Sequence, residues 1–307
     1  MPRTTTSEDL THVRNYLRSW ERSLRAQNKR PSTIRTYLLA ARQFTDFLDA
    51  RGMPTDVTRI TREHVEAFIE DVLDRRTPAT AAQRYGSLRH LWRWLLEEGE
   101  IERSPMERTH PPKVPEQPPP VLRLDQLKAL LRTCSGNEFE ARRDNAIIRL
   151  FVDTGMRMSE LVGLRLEDID FDLDVAVVEG KGGRWRSCPF GDKTGLALDR
   201  YRRARARHSR AGLPWLWLGA RGGFGASGVA QMLRRRGREA GIGPINAHRF
   251  RHTFAHRWLS EGGTETGLMH VVGWAKGSRS MLGRYGASAA GERAREEHQR
   301  LALGDEL

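Results

Sequence analysis

Apolar residues in the first third of the chain recur at three- and four-residue intervals, which is the spacing of helices with one buried face. The first such stripe follows Ser32, whose side chain suits a helix N-cap. The three stripes are Tyr37, Leu38, Ala41, Phe44 and Leu48, then Val65, Phe68, Ile69 and Val72, and then Leu88, Leu91, Trp92 and Leu95. Together they predict an all-α N-terminal domain.

A proline-rich segment follows this helical pattern and is densest from Pro111 to Pro120. Proline lacks an N–H group and clashes with the preceding helical turn, so the segment cannot continue a helix. We therefore expect an extended linker between two domains.

The rest of the chain is also mostly helical in pattern, with an apolar helical run from Ile147 to Val152. One β-prone run, Val175 to Val178, precedes a short stretch that ends at Pro189. The glycine-rich residues between them predict a hairpin with Lys181 at its tip. The predicted fold class is mainly α and multidomain, with a small antiparallel β-sheet in the second domain.

The balance of charge indicates a polyanionic partner. The 307 residues include 52 basic and 39 acidic side chains, a formal net charge of +13. Residues 1–110 carry 19 basic and 16 acidic side chains, and residues 111–307 carry 33 and 23. The excess of positive charge therefore lies in the second domain, where contacts with phosphate groups would need it.

The two cysteines, Cys134 and Cys188, have no C-x-x-C spacing, so we expect neither a disulfide framework nor a zinc ribbon. The first residues lack the apolar core of a signal peptide, and no run approaches the ~20 apolar residues of a membrane span. These features predict a soluble cytoplasmic protein.

Two segments place cationic side chains where they could hold a phosphate. In Thr154–Leu161 the break at Gly155 puts Arg157 at the start of a helix. In Asn246–Ala255 the three- and four-residue spacing puts His248, Arg251 and His252 on one helical face. A guanidinium fork matches phosphate geometry and stays charged at any working pH.

Tyr285 follows these segments, after Val272-Gly273-Trp274. A tyrosine hydroxyl has a pKa near ~10 and is a poor nucleophile. It attacks a phosphodiester usefully only where clustered cations stabilise the developing negative charge. The set of motifs predicts a site that cleaves and rejoins DNA.

Taken in order, these motifs resemble those of the tyrosine recombinases, the family of the phage integrases and of the Xer and Cre-like enzymes, over nearly the whole chain. The resemblance implies a role for each residue. Tyr285 would be the nucleophile, and Arg157 and Arg251 would bind the phosphate. Lys181 would be the general acid, His248 would assist proton transfer or hydrogen-bond the phosphate, Trp274 would donate its indole N–H, and Glu160 would orient its neighbours. We expect His252 either to support the residues that contact the phosphate or to belong to the core.

The resemblance also implies an organisation: residues 9–106 form a core-binding domain, 107–120 a linker, 121–290 the catalytic domain, and 291–307 a tail that either docks on a neighbouring protomer or is solvated. The expected partner is double-stranded DNA, held by a dimer at each site and a tetramer in the synapse. No cofactor, metal or membrane is expected.

We interpret the chain as a site-specific recombinase and as the integrase of a mobile element. Three alternatives remain: an Xer-like chromosome or plasmid dimer resolvase, a type IB topoisomerase-like enzyme, and a DNA-binding regulator that has lost the chemistry. The last is motivated by the spacing of Trp274 and Tyr285, which are eleven positions apart, more than is usual in the family.

Further basic residues are candidates for DNA contacts: Arg184, Arg186, Arg234, Arg235 and Arg236. The run from Arg200 to Arg207 either lines the DNA or covers a solvated helix face. Sequence does not decide which side chains reach base edges.

Two other patterns are given structural interpretations. His248, His252 and His256 repeat every four residues, but the arginines among them would repel a metal ion. Gly223–Gly228 matches G-x-G-x-x-G, yet arginines follow it where a dinucleotide site needs an acidic residue and a strand. We expect a turn before a helix at that position.

Overall fold

The computed structural model describes residues 11–115, 119–180, 183 and 185–274. The chain divides into two compact units, Met1–Glu116 and Gln117–Leu307, which we call unit 1 and unit 2. Helices dominate both units and the sheets are small, so the predicted mainly α class is confirmed. Within the described residues, no helix combines the length and the apolar character that crossing a membrane requires.

Unit 1 contains four described α-helices: α1 Val13–Ala26, α2 Pro31–Ala50, α3 Arg62–Arg75 and α4 Pro78–Glu97. All three predicted apolar stripes enter its core, and only Tyr37 among their residues is partly exposed. Phe44 and Trp92 pack edge to face at its centre, with ring centroids 6.3 Å apart. The helical spacing alone therefore located this core.

The predicted cap at Ser32 is wrong, because α2 begins one residue earlier at Pro31. Arg30 is the N-cap and makes no side-chain capping bond. Proline favours the first helical position because its fixed φ suits the helix and its missing N–H needs no partner there. Helix α4 also begins with a proline, Pro78, and there Thr77 does cap the helix through the N–H of Thr80.

Unit 2 contains seven further α-helices among the described residues: α5 Leu124–Arg132, α6 Phe139–Thr154, α7 Met158–Gly163, α8 Asp192–Arg205, α9 Ala226–Glu239, α10 Ala247–Ser260 and α11 Glu265–Val272. Helix α6 is central and packs against both α8 and α10. Its residues Ile147, Leu150 and Phe151 are fully buried. The predicted apolar run thus became the middle of the unit 2 core.

The predicted hairpin is confirmed by an antiparallel sheet with strand order β1-β2-β3. Its strands are β1 Ile169–Asp170, β2 Val175–Glu179 and β3 Trp185–Pro189. Val178 pairs with Arg186, and Ala176 pairs with Cys188. These two pairs face inward, since Ala176, Val178 and Cys188 are buried. Lys181 and Arg184, between the strands, lie outside the described residues.

The G-x-G-x-x-G segment forms the expected turn before a helix. It spans the end of a small hairpin, β4 Leu218–Gly219 with β5 Gly222–Gly223, and the start of α9. A Cβ added to Gly228 would lie 2.6 Å from the Phe224 ring, and one on Gly223 would lie 2.9 Å from the Trp215 ring. These glycines therefore allow aromatic rings to pack closely.

Candidate active site

Arg157 sits at a sharp junction between two helices. Helix α6 ends at Thr154, and its C-cap residue Gly155 adopts the left-handed conformation with φ 56°. A Cβ at this position would lie 2.8 Å from the Phe254 ring, so the position requires glycine for both conformation and space. Arg157 is then the N-cap of α7, as its place in the sequence predicted.

Helix α10 supplies Arg251 and two imidazoles. The Asn246 side chain starts this helix by accepting a bond from the N–H of Arg249 at 3.0 Å. The rings of His248 and His252 meet edge to face, 4.6 Å apart. Arg251 is 3% exposed. The predicted face thus has its imidazoles toward the surface and its guanidinium buried.

Three arginine side chains converge on the C-terminal end of α11, where the last carbonyls of a helix lack helical partners and carry partial negative charge. The bonds run from Arg186 Nε to Val271 O at 2.9 Å, from Arg251 Nη2 to Val272 O at 2.7 Å and from Arg157 Nη2 to Gly273 O at 3.3 Å. Residues far apart in sequence are thereby brought together at three successive carbonyls.

Trp274 follows these carbonyls directly. Its backbone N–H donates to Met269 O at 2.9 Å, and this bond satisfies a carbonyl at the end of α11. The Arg251 guanidinium lies 5.5 Å from the centre of the Trp274 ring, a cation–π distance. Arg251 also donates through Nη1 to Gly155 O at 2.9 Å. One buried guanidinium therefore links the end of α6, the end of α11 and Trp274.

Glu160 accepts four hydrogen bonds at the base of this cluster, and its side chain is only 3% exposed. Arg157 donates its N–H at 2.6 Å and Nη1 at 2.8 Å, and Arg186 donates Nη1 and Nη2, each at 2.9 Å. Burial alone would raise the pKa of Glu160, but the hydrogen bonds from Arg186 and Arg157 outweigh it and lower the pKa to about 2. Glu160 is therefore ionised throughout the working range of pH.

The depressed pKa of Glu160 predicts a loss of stability in acid. A carboxylate whose pKa falls on folding, here from 4.5 to about 2, adds stability above the unfolded value that is lost as pH drops through the folded one. Urea unfolding should show the free-energy gap between wild type and Glu160→Gln shrinking by about 2 kcal/mol from pH 6 to pH 3. Glu167→Gln, at an exposed carboxylate, controls for the loss of one charge. If the difference in unfolding free energy between wild type and Glu160→Gln stays constant with pH, the lowered pKa of Glu160 is contradicted.

His248 lies close enough to Arg251 and Arg157 for their positive charges to disfavour its protonation. Desolvation, and then the charges of Arg251 and Arg157, lower its pKa below the usual 6.5. Its imidazole is thus mainly neutral at neutral pH and can either accept or donate a proton.

The structure describes some of the other predicted site residues and gives several of them internal partners. Tyr285, Lys181 and Arg184 lie outside the described residues. Arg234 is exposed. The guanidiniums of Arg235 and Arg236 instead bond to the buried carboxylate of Asp144, with distances of 2.8–3.1 Å, and that of Arg186 bonds to Glu160.

These internal partners were missed in the sequence, although two signals were available. Asp144 is a carboxylate inside the apolar pattern of α6, and a buried carboxylate needs cationic partners. Arg186 shares its strand face with Cys188, two residues on, which is fully buried. Strand alternation therefore predicts an inward Arg186, although it does not identify Glu160 as the partner.

No group of three or more His, Cys, Asp or Glu side chains in the described part of the chain is arranged to hold a metal ion.

Two family models match the sequence. The model of the phage integrase family matches residues 120–292, and that of the phage integrase N-terminal SAM-like domain matches residues 16–100.

Among curated relatives, the tyrosine recombinase XerC of Oceanobacillus iheyensis is 30% identical over 257 residues, which cover 80% of this chain and 83% of the relative. Two solved structures share the fold. The integrase of the Tn1549 transposon in complex with transposon right end DNA has a TM-score of 0.72 at 18% identity, covering 95% of this chain and 99% of the other. A lambda integrase tetramer bound to a Holliday junction has a TM-score of 0.71 at 18% identity, covering 88% and 79%.

Proposed function

The chain belongs to the phage integrase family and is a DNA strand-transfer enzyme of the tyrosine recombinase class, and from this premise we propose how its residues cut and rejoin DNA. Tyr285 attacks the scissile phosphorus. A bond forms between the tyrosine oxygen and phosphorus, and the bond to the 5′-oxygen breaks. DNA remains joined to the protein as a 3′-phosphotyrosine.

The observation that carries this proposal is the meeting of Arg157 and Arg251 at neighbouring carbonyls of one helix end, Gly273 and Val272. Two guanidiniums held this close can bind two non-bridging oxygens of one phosphate and stabilise the charge that develops there. Trp274, beside Arg251, can donate its indole N–H to the same phosphate.

Two further residues are assigned to proton transfer. Lys181, which the sequence predicts at the tip of the hairpin, is the general acid that protonates the departing 5′-oxygen. His248, whose pKa is lowered first by desolvation and then by Arg251 and Arg157, takes up the tyrosine proton or hydrogen-bonds the phosphate. The phosphotyrosine keeps the energy of the phosphodiester, so a 5′-hydroxyl can reverse the step without a nucleotide cofactor.

Double-stranded DNA is the proposed partner, bound by a dimer at each site and a tetramer in the synapse. The positive excess in residues 111–307, 33 basic against 23 acidic side chains, supports it. The tetrameric lambda integrase on a Holliday junction supports the assembly. Residues 9–106 are proposed as the core-binding domain and residues 291–307 as the protomer-docking tail, and the reaction is placed in the cytoplasm.

For the biological role we propose the integrase of a mobile element, with an Xer-like dimer resolvase as the alternative. The fold shared with the Tn1549 integrase supports the first, and 30% identity to a XerC protein supports the second. Purified protein should recombine plasmids that carry the junctions flanking its own gene and leave plasmids that carry the chromosomal dimer-resolution site unchanged. The opposite selectivity would establish the resolvase.

A topoisomerase-like enzyme and a catalytically inactive regulator are separated by the same preparation. A type IB topoisomerase-like enzyme would relax supercoiled plasmid without any specific site and as a monomer. A regulator would retard the DNA without ever forming a covalent complex. Recombination that depends on two specific sites excludes both.

A further inference from the structure

Arg186 was expected to contact DNA, but its bonds direct it inward. Nη1 and Nη2 each lie 2.9 Å from the Glu160 carboxylate, and Nε lies 2.9 Å from Val271 O. All three guanidinium nitrogens thus donate to the protein, and the side chain is 9% exposed. Arg186 could reach a DNA phosphate only by breaking its ion pair with the buried Glu160 carboxylate, which is costly.

The bonds of Arg186 to Glu160 determine how much of the positive charge of Arg157 is available to bind the phosphate. Glu160 shares its single negative charge between Arg157 and Arg186, so the three side chains carry a net charge of +1. Without Arg186 the group would be neutral, and Arg157 would be the remaining cation on the buried carboxylate. Arg157, whose side chain is 34% exposed, would then be drawn toward Glu160 and away from substrate.

Arg186 also connects three segments that each carry a proposed catalytic residue. It is the second residue of β3, the strand that follows Lys181 in the sequence, it bonds to Glu160, three residues after Arg157, and it bonds to Val271 in α11, which precedes Trp274. Gly273 lies against it so closely that an added Cβ would be 3.2 Å from the guanidinium. The side chain therefore fills a defined space between β3 and the end of α11.

We propose that Arg186 is a positioning residue for strand cleavage: by holding Glu160 and the end of α11 it keeps Arg157 directed at the scissile phosphate. The inference rests on the proposed recombinase function.

The test is the rate of covalent complex formation at saturating DNA, measured for Arg186→Gln beside its binding affinity at several salt concentrations. The rate should fall about 10-fold to 100-fold, as expected when reacting groups are held slightly out of place. Affinity should change little and the salt slope should stay the same. A direct phosphate contact would instead reduce that slope by about 1 and leave the saturated rate intact, which would overturn the proposal.

A double substitution tests whether the effect passes through Glu160. In a Glu160→Gln background, which has no negative charge for Arg186 to offset, Arg186→Gln should cost much less than in wild type. Equal losses in both backgrounds would refute a role through Glu160. Arg165→Gln, at an exposed arginine paired with exposed Glu167, is the control for removing one positive charge and should cleave at the wild-type rate.

Thermal unfolding of Arg186→Gln shows whether that variant folds. If it does not, Arg186→Lys is used in its place. Lysine keeps the charge but cannot bond to both carboxylate oxygens and to Val271 together, so a folded lysine variant should still be slow at saturating DNA. A wild-type rate in this variant would overturn the proposal. Absence of any covalent complex with wild-type protein would be a failure of the proposed function instead.

Discussion

Tyr285→Phe is expected to abolish covalent attachment to DNA while leaving DNA binding intact. The substitution removes only the oxygen that attacks phosphorus and changes no charge, so the phosphate contacts that dominate affinity persist. Loss of a covalent nucleophile lowers rates by more than about 10⁴-fold. The covalent band on a denaturing gel should vanish. The dissociation constant measured by gel shift on a native gel should stay within about threefold of the wild-type value.

Tyr85→Phe is the matched control for this experiment. The Tyr85 hydroxyl bonds to Thr109 in unit 1 at 2.8 Å and has no part in the proposed chemistry. This variant should form the covalent band at the wild-type rate. Persistence of the band in Tyr285→Phe would show that another residue is the nucleophile.

Arg251→Ala is expected to lower the rate of strand cleavage by about 10²–10³-fold, the usual cost of removing one preorganised donor to a developing oxyanion. Arg251 is 3% exposed, donates to Gly155 O and Val272 O and lies against the Trp274 ring. Its loss would therefore also remove the hydrogen bonds that connect the ends of α6 and α11. The measurement is single-turnover cleavage at saturating DNA, so that weaker binding does not enter the rate.

Arg251→Lys separates the two contributions of this residue. Lysine restores the positive charge but not the fork that bonds two carbonyls at once. We expect an intermediate rate, above that of alanine and below wild type. Cleavage by Arg251→Ala within about threefold of wild type would contradict a phosphate-binding role.

The features predictable from the sequence are those that local pattern determines. Helical spacing identified the buried faces of α2 and α4 through residues such as Phe44 and Trp92, because residues three and four positions apart lie on the same face of a helix. The β-prone run at Val175 and the glycines after it identified the hairpin for the same reason. Helix starts were less certain, since Ser32 and Pro31 both favour one and proline prevailed.

The partners of the buried charges were not predictable in this way. Arg186 and Glu160 are 26 positions apart, and Arg236 and Asp144 are 92 apart. A basic residue on an amphipathic element looks solvent-exposed or DNA-facing in sequence, because pattern gives its face but not what packs there. Only the arrangement of α6, α7, α9 and β3 shows that these arginines neutralise buried carboxylates, which are too costly to leave unpaired.

The most direct test of the account is to map the residue that becomes joined to DNA. Wild-type protein would be trapped on nicked junction DNA with metal ions chelated, digested with trypsin and nuclease, and examined by mass spectrometry. The account predicts a nucleotide adduct on the fragment of residues 285–293, in which Tyr285 is the sole tyrosine. An adduct on a different residue, or attachment that requires added metal, would contradict it.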